Sequence, residues 1–175
     1  MLKDSYERNK MPRILITFFI IAPFFLFSQG AMKNDIAWVT LKEAKLLAKE
    51  HNQKILIFFY KEHCPYCEKM KKETLTDITV INTINRNFFP VKLNSRTKDT
   101  IYYNNQAYSN QQPVEHGYTW RHDFYAEVAS FNHNNTAQTT TPTIVLFNEN
   151  FEKITTFAGN HPKELLLRKL KKYIK

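Results

Sequence analysis

The sequence predicts an α/β fold in which buried strands alternate with amphipathic helices. Three apolar runs have the composition of buried strands, at residues 55–60, 88–93 and 143–147. The first run leads towards Cys64 and Cys67, and good helix formers follow them. The chain has 175 residues, and these are its only two cysteines. A thiol pair at the junction of a strand and a helix is therefore the feature that bears most directly on function.

Helix-capping residues define the predicted elements of the N-terminal half. Thr40 and Glu43 have the spacing of a capping box, so a helix is expected to start there. Asp77 can cap a further short helix through its side-chain oxygens. The predicted order is a helix over 41–51, a strand over 55–60, a helix over 65–75, a helix over 78–86 and a strand over 88–93.

The C-terminal part predicts a hairpin followed by a helix. The residues Asn-Glu-Asn after the strand over 143–147 suit a turn, so a return strand is expected over 151–158. Gly159 then breaks the chain, and Pro162 can open a terminal helix that runs to Lys172.

Residues 94–140 form a long insert between the predicted core strands. Within it, residues 100–108 suggest a hairpin and residues 120–131 suggest a helix. The insert is rich in aromatic residues, and packing in a core is favoured for them over the lining of a substrate groove. They are Tyr102, Tyr103, Tyr108, Tyr118, Trp120, Phe124, Tyr125 and Phe131. The insert carries no thiol, so we expect it to tune the choice of partner and to be dispensable for the fold.

The charge of the chain does not by itself indicate a ligand. The net charge is +9, and much of it lies in residues 163–175. The solvated face of a terminal helix is favoured over nucleic-acid or membrane binding, since no nucleic-acid-binding motif accompanies the charge. Three glycines also argue against a glycine-rich phosphate loop.

Residues 1–30 have the pattern of a signal peptide. Residues 14–27 are almost entirely apolar, which is short of the about 20 residues that span a bilayer but suits a signal-peptide core. A basic flank precedes the run, and small residues permit cleavage before Ala31. The alternative is an uncleaved anchor, which would bring the only expected membrane contact. In both cases residues 31–175 are expected to form the domain outside the cytosol. In that oxidising compartment structural disulfides are usual, so a chain with a single CxxC has kept only a pair that can cycle between thiol and disulfide.

Cys64 is expected at the N-terminus of the helix that follows the first strand. There, unpaired backbone N–H groups and the helix dipole stabilise a thiolate, the nucleophile of disulfide exchange. Cys67 follows three residues later, close enough to form the internal disulfide or to resolve a mixed one.

Two other uses of a cysteine pair compete with redox exchange. A structural zinc site needs more ligands than one CxxC supplies, and His63, His116 and His122 match no familiar ligand spacing. A purely structural disulfide is unattractive, because closing so short a loop removes little entropy from the unfolded chain. Redox chemistry without a metal or another cofactor is therefore favoured.

A second motif, Thr141-Pro142-Thr143, leads directly into the third apolar strand. A CxxC after the first strand, followed by this motif, a hairpin and a helix, resembles the thioredoxin superfamily over residues 38–174. The resemblance implies a thioredoxin fold, with a central mixed sheet flanked by helices and the insert 94–140 before the cis-proline strand. It also implies a cis Thr141–Pro142 bond that faces the CxxC and leaves a backbone edge for a substrate peptide.

The sequence departs from thioredoxin beside the motif. His63 stands where thioredoxin has a tryptophan, and Phe58 stands where it has a buried acid. Pro65 and Tyr66 complete a CPYC motif similar to that of glutaredoxins, but no glutathione-binding signature accompanies it. The sequence is more similar to exported thioredoxin-like proteins of bacterial envelopes. That similarity implies a periplasmic location, or attachment to the inner membrane if the signal is uncleaved.

These inferences together predict an exported thiol:disulfide oxidoreductase, with reduction the favoured direction. Cys64 attacks, and Cys67 resolves the mixed disulfide. The residues expected to shape the motif or hold the substrate strand are His63, Pro65, Tyr66, Thr141, Pro142 and Thr143. The expected partners are protein thiols or disulfides and a protein that restores the redox state. A redox-inert peptide-binding adaptor and a metallochaperone are the alternatives on the same scaffold.

Overall fold

The computed structural model describes residues 34–110, 120–134 and 136–174. The predicted signal peptide, His116 and Tyr118 lie outside these ranges. The elements are α1 (Leu41–His51), β1 (Lys54–Tyr60), α2 (Pro65–Glu73), α3 (Ile78–Asn87), β2 (Phe88–Asn94), β3 (Ile101–Tyr103), β4 (Gln106–Tyr108), α4 (Asp123–Ala129), β5 (Phe131–His133), β6 (Thr136–Gln138), β7 (Thr143–Phe147), β8 (Lys153–Ala158) and α5 (Lys163–Leu170), which a 3₁₀ turn over Lys171–Tyr173 follows. In these ranges no helix has the length and apolarity of a membrane span.

The central sheet is mixed, as predicted, and its strands lie in the order β2-β1-β7-β8. β1 pairs in parallel with β2, while β7 runs antiparallel to both β1 and β8. A parallel pair needs a long crossover between its strands, and α2 with α3 supplies it. Two small hairpins, β3-β4 and β5-β6, lie outside this sheet.

Helices cover both faces of the central sheet. Successive side chains of a strand point to opposite faces, so β1 contributes to two cores. Ile55, Ile57 and Phe59 pack with residues of α1 and α4. Leu56 and Phe58 pack with residues of α2, α3 and α5. The sheet is therefore the middle of three layers, and β1 is buried between the other two.

The helix starts follow the predicted caps. Thr40 and Glu43 form the capping box, with the Glu43 N–H donating to Thr40 Oγ1 over 3.2 Å and the Thr40 N–H donating to Glu43 Oε2 over 2.9 Å. Asp77 Oδ1 accepts from the N–H groups of Thr79 and Val80 at the start of α3. These local hydrogen bonds explain why the sequence predicted the starts of both helices correctly.

The insert differs in part from its prediction. The β3-β4 hairpin turns at Asn104 and Asn105, whose φ angles of 48° and 60° lie in the left-handed region that asparagine tolerates. The observed helix α4 is shorter than the helix predicted over 120–131, and it begins after the His122 N-cap. Phe131 belongs to β5, in a hairpin that the sequence analysis missed. The strands of that hairpin are short and mostly exposed polar residues, so no apolar alternation announces them.

Three aromatic residues of the insert pack into one of the two cores. Phe124 is fully buried, and its ring centroid lies 6.0 Å from that of Phe59 and 5.5 Å from that of Tyr103. Tyr125 is also buried, whereas Tyr102 is 65% exposed. The expectation of core packing is thus confirmed for Tyr103, Phe124 and Tyr125. Because the insert covers one face of the sheet, the fold argues against the expectation that the insert is dispensable.

We predict that Phe124→Ala lowers the free energy of unfolding by about 3–5 kcal/mol, because it leaves a cavity between the insert and the sheet. Urea-induced unfolding measures the loss. Tyr102→Ala removes an exposed ring from the same insert and should change stability by less than about 1 kcal/mol. Equal effects of the two substitutions would contradict a core role for the insert.

His161 is a buried histidine at the end of the hairpin that leads into α5. It is 3% exposed, and its Nδ1 lies 2.8 Å from the carbonyl oxygen of Gly159. Burial lowers the pKa of His161, and the nearby Lys169 acts in the same direction, although the hydrogen bond to Gly159 opposes them. The folded protein therefore holds this imidazole neutral to a lower pH than the unfolded chain does.

A loss of stability in mild acid follows from His161. The unfolded chain binds the proton first as the pH falls, so the free energy of unfolding should decrease below about pH 6.5. Glu43 and Asp77 have lowered pKa values, so their contributions are lost only at more acidic pH. His161→Gln should flatten the fall in Tm between about pH 7.5 and about pH 5.5. An unchanged slope in this variant would rule His161 out as its source.

Candidate active site

The cysteine pair lies where β1 leads into α2. Cys64 is the N-cap of α2, and Pro65 occupies its first turn, where a residue without an N–H costs no helix hydrogen bond. His63, which precedes the pair, has a φ of 52° in the left-handed region. The tight turn after β1 therefore delivers the first cysteine to the N-terminus of the helix, as the sequence predicted.

Cys64 and Cys67 form a disulfide, with their Cα atoms 5.2 Å apart. Cys64 is 3% exposed and Cys67 is fully buried. The backbone N–H of Cys67 donates to the sulfur of Cys64 over 3.2 Å. In the reduced protein the same N–H can stabilise a thiolate on Cys64, which is how a helix N-terminus activates a cysteine.

The Thr141–Pro142 bond is cis, as predicted. The sulfur of Cys64 lies 3.5 Å from the carbonyl oxygen of Thr141 and 3.7 Å from its Oγ1. The oxidised sulfur carries no proton, so in this state these are close contacts. Once reduced, a Cys64 thiol can donate to either oxygen. The two motifs that the sequence singled out therefore meet in space.

Two hydroxyl groups hold the turn before Pro142. The carbonyl oxygen of Thr140 accepts from the hydroxyl of Tyr125 and from Oγ1 of Thr143, each over 2.5 Å. Burial raises the pKa of Tyr125 to about 12, so the phenol stays protonated and keeps donating. Thr143 is fully buried and points away from solvent. The sequence analysis named Tyr125 only among the insert aromatics and favoured core packing for it over a role at the site.

A polar cleft of about 470 Å³ opens beside Cys64. The motif and the cis-proline turn supply part of its lining, through His63, Cys64, Pro65, Tyr66 and Thr141. The remaining lining residues are Lys61, Ser95, Arg96, Arg121, Tyr125, Thr139 and Thr140. Most of these come from the insert, so the insert contributes to the cleft as well as to the core. Pro142 and Thr143 lie behind the lining, and both are buried.

Residues 41–174 match the family of thioredoxin-like domains. The chain belongs to this family. No curated protein sequence is significantly similar to this thioredoxin-like protein. Among solved structures it is similar to the DsbH oxidoreductase, with a TM-score of 0.54 and 16% identity over 79% of this chain and 83% of that one. It is also similar to a thioredoxin from Thermus thermophilus, with a TM-score of 0.55 and 20% identity over 79% and 87% of the two chains.

These likenesses show the thioredoxin fold. The chain belongs to the thioredoxin-like family and carries a CxxC pair at disulfide distance on that fold. Together they make the chain a thioredoxin-like oxidoreductase of thiols and disulfides.

The histidines of the thioredoxin-like protein differ in what they can bind. His63 is exposed and lines the cleft. His122 is buried, and its Nδ1 accepts from the N–H of Phe124 while its Nε2 lies 2.9 Å from the carbonyl oxygen of Asp99. Both nitrogens of His122 are thus engaged with backbone, with the proton on Nε2. Within the described ranges no group of three histidine, cysteine or acidic side chains could hold a metal ion.

We predict that the reduced protein is alkylated at Cys64 before Cys67 near neutral pH. Cys64 keeps some exposure and caps α2, while Cys67 has none. Brief treatment with iodoacetamide followed by peptide mass spectrometry measures the order. In urea the two thiols should react at equal rates, which provides the control. Equal rates in the folded protein would contradict the assignment of Cys64 as nucleophile.

Proposed function

We propose that the protein reduces disulfides of protein substrates outside the cytosol, with Cys64 as the nucleophile and Cys67 as the resolving thiol. The observation that carries the proposal is the position of Cys64, at the N-terminus of α2 and 3.5 Å from Thr141. A nucleophilic thiol needs a stabilised thiolate and a backbone edge nearby to hold the substrate. Cys64 has both, since it caps α2 and its sulfur contacts Thr141.

The proposed reaction has two exchange steps. The Cys64 thiolate attacks one sulfur of the substrate disulfide, and the other substrate sulfur leaves as a thiolate that takes up a proton. The Cys67 thiolate then attacks the Cys64 sulfur and releases the second substrate thiol. The substrate gains two electrons, and the enzyme is left with its Cys64–Cys67 disulfide. A dithiol protein partner must reduce that disulfide before the next cycle.

The other site residues have supporting roles in this proposal. Thr141 pairs with the substrate backbone, and its position in the cleft lining next to Cys64 supports this role. Thr143 positions that segment through Thr140 and does not touch the substrate. His63, Pro65 and Tyr66 form the exposed side of the motif, where Tyr66 is 66% exposed. The apolar run in residues 1–30 supports export to the periplasm.

Serine substitutions of the two cysteines test the proposed roles of nucleophile and resolving thiol. With dithiothreitol as reductant the wild-type protein should accelerate the reduction of insulin. Cys64→Ser should abolish the acceleration. Reduced Cys67→Ser, mixed with insulin in the absence of dithiothreitol, should accumulate a mixed disulfide with the substrate, because its first step remains possible. A wild-type protein that binds peptides without accelerating insulin reduction would instead favour the adaptor function.

The reduction potential of the Cys64–Cys67 pair tests the direction. Reductases of this fold have potentials of about −270 mV, and strong oxidants have potentials of about −120 mV. Equilibration with glutathione buffers measures the value. We expect a value close to the reductase end, and a value near the oxidant end would contradict the proposed direction while leaving the exchange chemistry intact.

A further inference from the structure

The described lining of the cleft beside Cys64 carries three cationic side chains. Lys61, Arg96 and Arg121 line it, and its described lining contains neither Asp nor Glu. Glu62 is close in sequence, but it is exposed outside the lining. The mechanism proposed above uses none of these three cations. A cluster of one sign in a concave site attracts groups of the opposite sign and raises their local concentration.

Backbone hydrogen bonds bring the three cations together. The N–H of Ser95 donates to the carbonyl oxygen of Tyr60 over 2.7 Å, and the N–H of His122 donates to the carbonyl oxygen of Ser95 over 2.7 Å. Lys61, Arg96 and Arg121 are the chain neighbours of these three bonded residues. The charge cluster is therefore built into the fold, through contacts between β1, the segment after β2 and the residue that caps α4.

The bonds that hold the cluster are shielded from water. Ser95 is 3% exposed and His122 is 1% exposed. The His122 ring caps α4 and bonds to Asp99, so the residue after Arg121 is fixed on two sides. Arg121 Nη1 also donates to Thr139 Oγ1, which ties the guanidinium to the segment between β6 and Thr141. A guanidinium carries five N–H groups, so this one bond leaves it able to donate to a ligand as well.

We propose that this basic cluster binds a carboxylate beside the reactive cysteine of a protein substrate, so that the enzyme prefers disulfides with Asp or Glu close by. Arg96 and Arg121 are the selecting residues, because guanidinium groups match carboxylates in geometry and charge. The inference rests on the proposed function and names the substrate class for the same site. The residues belong to the insert, which thereby acquires a role in recognition.

Matched peptides test the preference. Three disulfide-bonded peptides differ only at the residues flanking one cysteine, which are Glu, Gln or Lys. The wild-type protein should reduce the Glu peptide with a kcat/KM about threefold to tenfold higher than the Gln peptide, and the Lys peptide most slowly. The difference should appear mainly in KM and shrink as salt is raised from about 0.05 M to about 0.5 M. Equal kcat/KM values for the three peptides would overturn the inference.

Variants assign the preference to the cluster. Arg96→Gln/Arg121→Gln should reduce the Glu-over-Gln ratio to less than about twofold, with Arg121→Gln alone giving an intermediate ratio if the double variant unfolds. Arg168→Gln/Lys172→Gln removes two cations from the C-terminal end of the chain and should leave the ratio unchanged. An unchanged ratio in folded Arg121→Gln, or an equal loss in the control, would overturn the assignment.

Small disulfides separate this inference from the proposed function. Hydroxyethyl disulfide is neutral, so its reduction by the wild-type protein reports the exchange chemistry without any charge preference. If wild type reduces neither this compound nor insulin, the proposed function fails. If it reduces both but shows no preference for the Glu peptide, only the inference fails. A charge preference seen with dithiodipropionate but absent with the peptides would likewise overturn it, by pointing to a small anionic disulfide as the ligand.

Discussion

The antiparallel pairing of β1 with β7 is the constraint on which the site depends. Phe59, near the end of β1, pairs with Thr143, at the start of β7. The chain leaving β1 and the chain entering β7 therefore meet at one edge of the sheet. Cys64 follows the first and Thr141 precedes the second, so the register of two buried strands sets the contact between sulfur and turn. Because Cys64 is the N-cap of α2, it is the cysteine that lies at that edge.

Local signals explain what the sequence predicted well. Apolar runs and helix caps each act within a few residues, so they predicted the four strands and the helices. The mixed sheet and the cis bond beside the cysteines were instead implied by the resemblance to the thioredoxin superfamily. Distant contacts explain what the sequence missed. Arg96 and Arg121 line the cleft because His122 bonds to Ser95, and no pattern along the chain reports that bond. The exposed β5-β6 hairpin lacked apolar alternation and was missed for a different reason.

The insert joins two tasks that a short loop would keep apart. Its aromatic residues fill the core under α1, and its polar residues reach the cleft. Tyr125 belongs to both groups, since its ring packs 5.1 Å from that of Phe59 while its hydroxyl holds Thr140. Stability and the proposed substrate recognition therefore share residues. Destabilising changes in this core can be expected to disturb the cleft even though they lie behind it.

The backbone hydrogen bonds that link Tyr60, Ser95 and His122 fix the positions of the neighbouring side chains without depending on their identity. Main-chain N–H and carbonyl groups are present whatever residue occupies the neighbouring positions 61, 96 and 121. The scaffold thus offers three adjustable sites around a fixed thiol. Substitutions at these three positions can reverse the charge of the cleft. The redox centre then keeps its geometry while the range of substrates changes.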